Sequence, residues 1–370
     1  MNTLSIEERT ALRDAMHRLM QDANSEAQVR AVMDTEQGYD PQLWQQLAQM
    51  GITGLIVPEE FGGSGVGPLE LEAIMEEAGS ALLSAPLLAS SVVAAELIRA
   101  LGDEALQQRL LPEIASGRSI VSAVLTDDSG TWNPTDIAIQ AKQVDGQWQL
   151  SGRGNYVLHG QNADVLIVLA QADRSLTAFV VEADSPGLQV SALPTFDRTL
   201  RMASVDFAGV AASLVEHTGD VAAAVKRALD LGLVALAGEQ AGGAQRVLEF
   251  TVEYAKTRIQ FGRQIGSFQA IKHMAADLLV ETESAVSAAR DAAAALAEQR
   301  SNTAQAVSLA AFACADAYVK TTADSVQMHG GIAFTWEHPA HLYLRRARAN
   351  AQLFGDSSYH REQYLQALGA

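Results

Sequence analysis

The chain has 370 residues, 48% of them hydrophobic, and a formal net charge of −18. That length allows two or three domains around a substantial core, and the apolar content excludes a disordered chain. The acidic balance argues against nucleic acid and against an anionic membrane surface, while leaving room for a small anionic ligand held by a few local arginines.

The single cysteine, Cys314, rules out a disulfide within the chain. Lying in the apolar run SLAAFACADAYV, it reads as a small buried hydrophobe rather than a nucleophile. The opening residues, MNTLSIEERTALRDAMHRL, contain acids and no apolar h-region, and no run reaches membrane-spanning length. The expectation is a cytoplasmic protein with no membrane partner.

Residues 4–23 place Leu4, Leu12, Met16 and Leu19 at mostly helical spacing among charges. Residues 40–50 predict a helix with Asp40 as N-cap and Pro41 at the first position. GITGLIVPEEFGGSGVG, 51–67, breaks the pattern with six glycines and a proline. Helical patterning resumes over Pro68–Ala100 and again over Glu104–Ser116. From Ser119 the texture changes to seven short apolar runs: SIVSAVLT, IAIQAKQV, WQLSGRGNYV, DVLIVLAQ, LTAFVVEA, LQVSAL and SVDFAGV. Turn signals such as Asp145-Gly146 and Asp173-Arg174 separate them, which predicts an antiparallel sandwich or barrel. From Val221 the chain is helical again, in long Ala-rich amphipathic segments, one of them capped at Gly330-Gly331. The prediction is an α+β chain divided into a helical domain at 1–118, a β domain at 119–215 and a helical bundle at 216–370.

One stretch stands out within the last region: Tyr254 to Gln269, YAKTRIQFGRQIGSFQ. It combines two glycines, two phenylalanines and the cations Lys256, Arg258 and Arg263, a mixture suited to an anionic, aromatic ligand at a helix end. Taken alone, it reads equally well as a helix C-terminus whose basic residues complement the dipole. Other motifs carry less. GGSGVG, 62–67, follows no strand of a βαβ unit and reads as a tight loop. His338 and His341 have metal-like spacing but no third ligand, so a helix-start cluster is expected and no metal is assigned. Asp127-Asp128 reads as a turn, and no G-x-S-x-G elbow is present.

VPEEFGGSGVG at 57–67, the α–β–α order, R-x-x-F-x-R-x-I-x-x-F-Q at 258–269 and Q-x-x-G-G at 327–331 together resemble the acyl-CoA dehydrogenase family. The resemblance covers essentially the whole chain. It implies that family's fold, a tetramer built as a dimer of dimers, FAD, an acyl-CoA substrate and electron transfer to an electron-transferring flavoprotein. The implied reaction is α,β-desaturation: a carboxylate takes the α-proton and the β-hydrogen leaves as hydride to the flavin. A weakly acidic α-proton calls for a desolvated carboxylate and for hydrogen bonds that hold the thioester oxygen as enolate character grows.

Several positions depart from the family pattern. Its usual catalytic Glu, in a Y-E-G-T-like motif, is replaced by Phe354 in LFGDSSYHR. The alternative position on an earlier helix falls near Gly232 and is also empty; Asp230, Glu239 and Asp356 are the nearest acids, with Glu239 and Asp356 the candidates for a relocated base. The T-E-P-x-A-G-S-D loop corresponds to TDDSGTWNP, 126–134, and the W-I-T-N strand to Tyr156-Val157-Leu158-His159, where Leu158 replaces the hydroxyl donor. By contrast Arg258, Phe261, Gln269, Gln327, Gly330 and Gly331 match family residues that reach across a dimer to the pyrophosphate and adenine end of the neighbouring subunit's FAD.

A chain that keeps the half-site it lends and lacks the half it would use resembles the non-catalytic, β-type subunits of heteromeric α2β2 dehydrogenases of bacterial steroid degradation. The ending GGIAFTWEHPAHLYLRRA, 330–347, resembles the same branch, whose substrates are bulky CoA esters. Three readings follow: a subunit lending the FAD-tail site to a homologous catalytic chain; a self-sufficient homo-oligomer with a relocated base; or a CoA-ester-binding relic without redox chemistry.

Overall fold

The computed structural model describes residues 3–369. In chain order its elements are helices α1 (Ile6–Ala23), α2 (Glu26–Met33), α3 (Pro41–Gln49) and α4 (Pro68–Ser80), a π-helix (Leu87–Ala94), then α5 (Ala95–Leu101) and α6 (Glu104–Ala115). Seven strands follow: β1 (Val121–Val124), β2 (Gln140–Val144), β3 (Gln147–Leu158), β4 (Val165–Ala172), β5 (Ser175–Glu182), β6 (Leu188–Ala192) and β7 (Met202–Leu214). The remainder is α7 (Val221–Thr257), the two-residue strands β8 (Ile259–Gln260) and β9 (Arg263–Gln264), α8 (Gln269–Ala297), α9 (Thr303–His329), α10 (Ala340–Asn350) and α11 (Ser357–Leu368). Helix starts follow the predicted chemistry: Ser5 and Glu8 form a capping box, and Asp40 accepts from the Gln42 N–H at 2.8 Å ahead of Pro41.

By internal contacts the chain forms two units. The first contains Val32–Gly67 and Ser84–Gly232. Its seven strands are those expected, and the pairings β4–β2–β3–β7–β5–β4 close into a ring, with β6 on β7. The expected all-antiparallel pairing is corrected at two places: β1 runs parallel to the first half of β4, and β2 parallel to its end. Side-chain alternation fixes which face a strand turns inward, not the direction of its neighbour, so the sequence pattern carried no such information. The two-residue hairpins at Asp145-Gly146 and Asp173-Arg174 hold both residues at positive φ, the geometry that matches strand twist. Leu166 to Ala170 of β4 are almost wholly buried, consistent with neighbours along both edges.

The second unit contains Thr3–Ala31, Pro68–Leu83 and the chain from Leu233 onward. By internal contacts the helices of 1–118 therefore fall in both units. The reason lies in α4. Glu70, Glu72, Glu76 and Glu77 on this helix are all buried. Arg9 reaches Glu70 (3.1 Å), Arg13 reaches Glu76 and Glu77 (2.8 and 2.7 Å), and Arg290 of α8 reaches Glu76 (3.1 Å). Gly79, Gly238 and Gly242 let α4 and α7 meet backbone to backbone; a Cβ at Gly242 would lie 1.8 Å from the Glu76 carbonyl oxygen. Small residues, alanine above all, recur among the buried positions of α8 and α9, and Cys314 sits buried there with Sγ 3.2 Å from the Ala285 carbonyl. Burial raises its thiol pKa above the ordinary value, as the structural reading of Cys314 required.

The continuous helix expected over Pro68–Ala100 is also corrected. It stops at Ser80, Leu82 takes φ 51°, and helix resumes only after Pro86, whose ring excludes a continuous α-helix across it. Within the first unit, the buried Ser84 hydroxyl in this break bonds the carbonyls of Gly38 and Thr199. Among the described residues no helix is long and apolar enough to cross a membrane.

Candidate functional site

The Tyr254–Gln269 stretch is a helix end followed by a tight hairpin. The Arg258 N–H donates to Tyr254 O (2.8 Å) as α7 closes, and the Ile265 N–H returns to Arg258 O (2.8 Å). Between them β8 and β9 pair around a turn made by Phe261 (φ 53°) and Gly262 (φ 77°). A phenylalanine in this left-handed region is strained by roughly 1–2 kcal/mol. The same residue is 91% exposed, so the strain secures no burial within this chain. Arg263 lies over the Phe268 ring at 4.0 Å, and Phe261 meets the same ring edge-on at 6.2 Å. Gln269 then opens α8, a 29-residue helix whose N-cap, Phe268, offers no side-chain acceptor. The first-turn N–H groups of such a helix favour an anion.

Leu248, Leu278 and Met328 form one buried cluster, with Ile271 and Met274 against it, and this brings the end of α9 beside α8. Gln327 is exposed there, and Gly330 caps α9 with φ 66° and ψ −146°, a conformation that suits glycine. A Cβ added at Gly262, Gly330 or Gly331 would meet nothing within 4 Å. Arg258, Phe261, Gln269, Gln327, Gly330 and Gly331 are all exposed on the one unit. Cations, an aromatic plane, amides, an uncapped helix start and open glycine backbone fit a dinucleotide tail.

The acids are committed elsewhere. Glu239 is buried and accepts from Arg346 Nη1 (2.7 Å) and Asn350 Nδ2 (2.8 Å). Asp356 is the N-cap of α11 and accepts from the Tyr359 N–H at 2.8 Å. Asp230 pairs with Lys226 one turn away, and burial raises its pKa. Phe354 is buried at φ 60° and is followed by Gly355 at φ 115°, so the position of the missing Glu is filled by hydrocarbon.

In the first unit, the loop after β1 is organised by Asp127, which accepts from the Ser129 N–H (2.8 Å), Ser129 Oγ (2.6 Å) and the Ala138 N–H (2.6 Å). After desolvation, which acts the other way, these bonds hold its pKa below the ordinary value. The turn reading of Asp127 is right. Thr126 Oγ1 next to it, the first residue of the 126–134 loop, is buried without a partner. At the end of β3, Tyr156 (φ 54°) and His159 (φ 49°) flank Val157-Leu158, with a register shift after Gly154. Leu158 is buried and brings no hydroxyl to this edge.

The remaining cations have structural partners. Arg201 bonds the carbonyls of Met33 and Thr35, Arg346 belongs to Glu239, and Arg345 lies over Trp336 at 5.4 Å. His338 accepts from the Ala340 N–H (3.2 Å) at the start of α10, as a helix-start residue should. Among the described residues no group of three His, Cys, Asp or Glu could hold a metal.

Comparisons with known proteins converge. Residues 6–118 match the family described as acyl-CoA dehydrogenase, N-terminal domain, and residues 222–369 match acyl-CoA dehydrogenase, C-terminal domain. The chain is 36% identical over 350 residues to the acyl-CoA dehydrogenase IpdE2 of Mycolicibacterium smegmatis, covering 94% of this chain and 95% of that protein. The ChsE4–ChsE5 complex from Mycobacterium tuberculosis contains a chain of the same fold, with TM-score 0.90 and 28% identity over 100% of this chain and 99% of that one. A Tcur3481–Tcur3483 steroid ACAD variant gives TM-score 0.89 and 28% identity, with 98% of each chain covered.

Proposed function

The chain belongs to the acyl-CoA dehydrogenase family, FAD-dependent oxidoreductases acting on the CH–CH bond of acyl-CoA thioesters, and from that premise we propose that it is the subunit lending the FAD-tail site to a homologous catalytic chain. The observation carrying this reading is an asymmetry. The six residues suited to a dinucleotide tail are exposed on one unit, while Glu239 and Asp356 are tied up as an ion pair and a helix cap.

Bound FAD would supply the acceptor for the β-hydrogen as hydride. The residues of this chain bind and orient. Arg258 neutralises pyrophosphate oxygens, with the first turn of α8 supplying N–H groups. Phe261 gives a flat contact to the adenine, Gln269 and Gln327 present amides, and Gly330-Gly331 let the backbone approach. The partner supplies the carboxylate that takes the α-proton. That the fold is shared with a two-component complex and with a steroid ACAD supports a heteromeric assembly and a bulky, steroid-type CoA ester; the acceptor we infer from the family resemblance is an electron-transferring flavoprotein.

The test is to purify the chain alone and co-expressed with a dehydrogenase chain that retains the Glu, then measure flavin per chain and acyl-CoA turnover. Flavin and turnover are expected only from the mixed assembly, and Arg258→Ala in this chain should lower FAD retention there by at least about tenfold, as loss of a charge-assisted pair would. Full flavin and turnover from the lone chain would instead establish a self-sufficient enzyme, and no flavin in any combination would favour the non-redox reading.

A further inference from the structure

The turn carrying Gly330 and Gly331 is held from behind by three imidazoles. His329, the last residue of α9, is buried, and its Nδ1 donates to Ser325 O at 2.8 Å. Ser325 Oγ in turn lies 2.7 Å from Thr251 Oγ1 on α7. The His329 ring stacks on Tyr254 (centroids 4.4 Å apart, 28° between planes), one helical turn before Arg258. Tyr254 Oη also reaches the His329 carbonyl at 3.4 Å, just ahead of the glycine pair. His338 lies 4.4 Å from His329, and Phe250 sets its ring against both at 5.7 Å. His341 Nδ1 donates to His338 O at 2.7 Å.

These bonds select neutral tautomers: Nδ1–H on His329 and His341, and Nε2–H on His338, whose Nδ1 is an acceptor. The Nε2 atoms of His329 and His341 are buried without a partner. A proton placed there would find no acceptor, and charging both His329 and His338 would put like charges about 4.4 Å apart. The charged groups facing the cluster are Glu26 and Arg30 of α2, bonded to each other at 2.6 Å, and Arg345 of α10, with Arg246 beside Tyr343. The one carboxylate among them is already neutralised, and the arginines add repulsion.

We propose that this imidazole cluster positions the nucleotide-tail site: as a neutral stack it locks the end of α9 to the end of α7, and once charged it separates them and releases the cofactor. The proposal rests on the reading that Arg258 and the glycine pair hold the FAD tail. Burial, chiefly, holds all three imidazole pKa values below the usual 6.5. Above that pH both the stacked and the opened forms are neutral. Below it the opened form binds protons first, so the stack loses stability as pH falls.

The experiment uses the flavin-loaded assembly, steps the pH from about 7 to about 5, and reads released FAD by fluorescence and imidazole titration by NMR; a loss of FAD affinity of roughly tenfold or more is expected, equivalent to one pKa unit or more of coupled shift. His329→Phe keeps a stackable ring without a titratable nitrogen and should flatten that dependence to within about twofold, and His338→Phe serves the same purpose if the first variant does not fold. Identical pH dependence in the parent and a folded variant, or imidazoles titrating at the usual value, overturns the proposal. Arg258→Ala separates the two levels. If it leaves FAD affinity at pH 7 unchanged, the tail reading itself fails; if it lowers affinity while the His variants behave like the parent, only the cluster's role fails.

Discussion

Phe261 is held at φ 53° with 91% of its surface exposed, a cost to the chain that no contact burial within it offsets. Relieving the strain should therefore favour the lone chain while harming the assembly. Phe261→Gly is expected to leave urea stability unchanged or raise it by up to about 1 kcal/mol, because glycine accepts positive φ freely, and to lower FAD retention in the mixed assembly. A loss of stability in the lone chain would show that the ring has an internal role. Glu72 is strained in another way: it is buried, its Oε1 has no partner, and burial followed by repulsion from Glu76 raises its pKa from 4.5 to about 8. The folded state keeps this proton where the unfolded state has lost it, so the carboxyl erodes stability as pH rises from 4.5 toward about 8. Glu72→Gln should remove that slope from a urea-midpoint series between those pH values, with a gain at the alkaline end on the order of a few kcal/mol. A slope unchanged by the substitution would place the titrating group elsewhere.

At the scale of elements, much was legible in the sequence and the exceptions share a cause. The seven strands, the caps at Asp40 and Gly330 and the helix end ahead of Arg258 follow from alternation, turn residues and local chemistry, which act over a few positions. The two parallel pairings to β4 and the burial of four glutamates on α4 depend on what lies far away in the chain. Read locally, that run of glutamates is a solvent face; only Arg9, Arg13 and Arg290 make it an interior one. The histidine stack was invisible for the same reason, because Tyr254 and His329 are far apart in sequence and neither motif names the other. Close packing of α4 on α7 also yields a sharp expectation. Gly242→Ala puts a methyl group against the Glu76 backbone and, since backbone cannot step aside as a side chain can, should destabilise the chain by roughly 1–3 kcal/mol, seen as a lower thermal midpoint. An unchanged midpoint would mean that the two helices yield to one another.

At the scale of the whole molecule, the chain divides its chemistry. Glu239 is ion-paired and Asp356 caps a helix, while the residues that suit a nucleotide are turned outward, together with exposed Ile259, Phe261, Phe334 and Trp336 on the same unit. Exposed apolar side chains gathered with a polar ligand site suit a surface completed by another chain. The ion-pair layer of α4 has a further consequence, which concerns the order of synthesis. Glu76 meets Arg13 across 63 positions but waits for Arg290 across 214. A chain still emerging from the ribosome can neutralise Glu70 and Glu77 early from α1, whereas Glu76 gains its second arginine, and α4 its glycine-faced neighbour on α7, only after the whole β unit has been made. Helix α4 therefore passes through biogenesis as a half-neutralised strip whose final seat is built last.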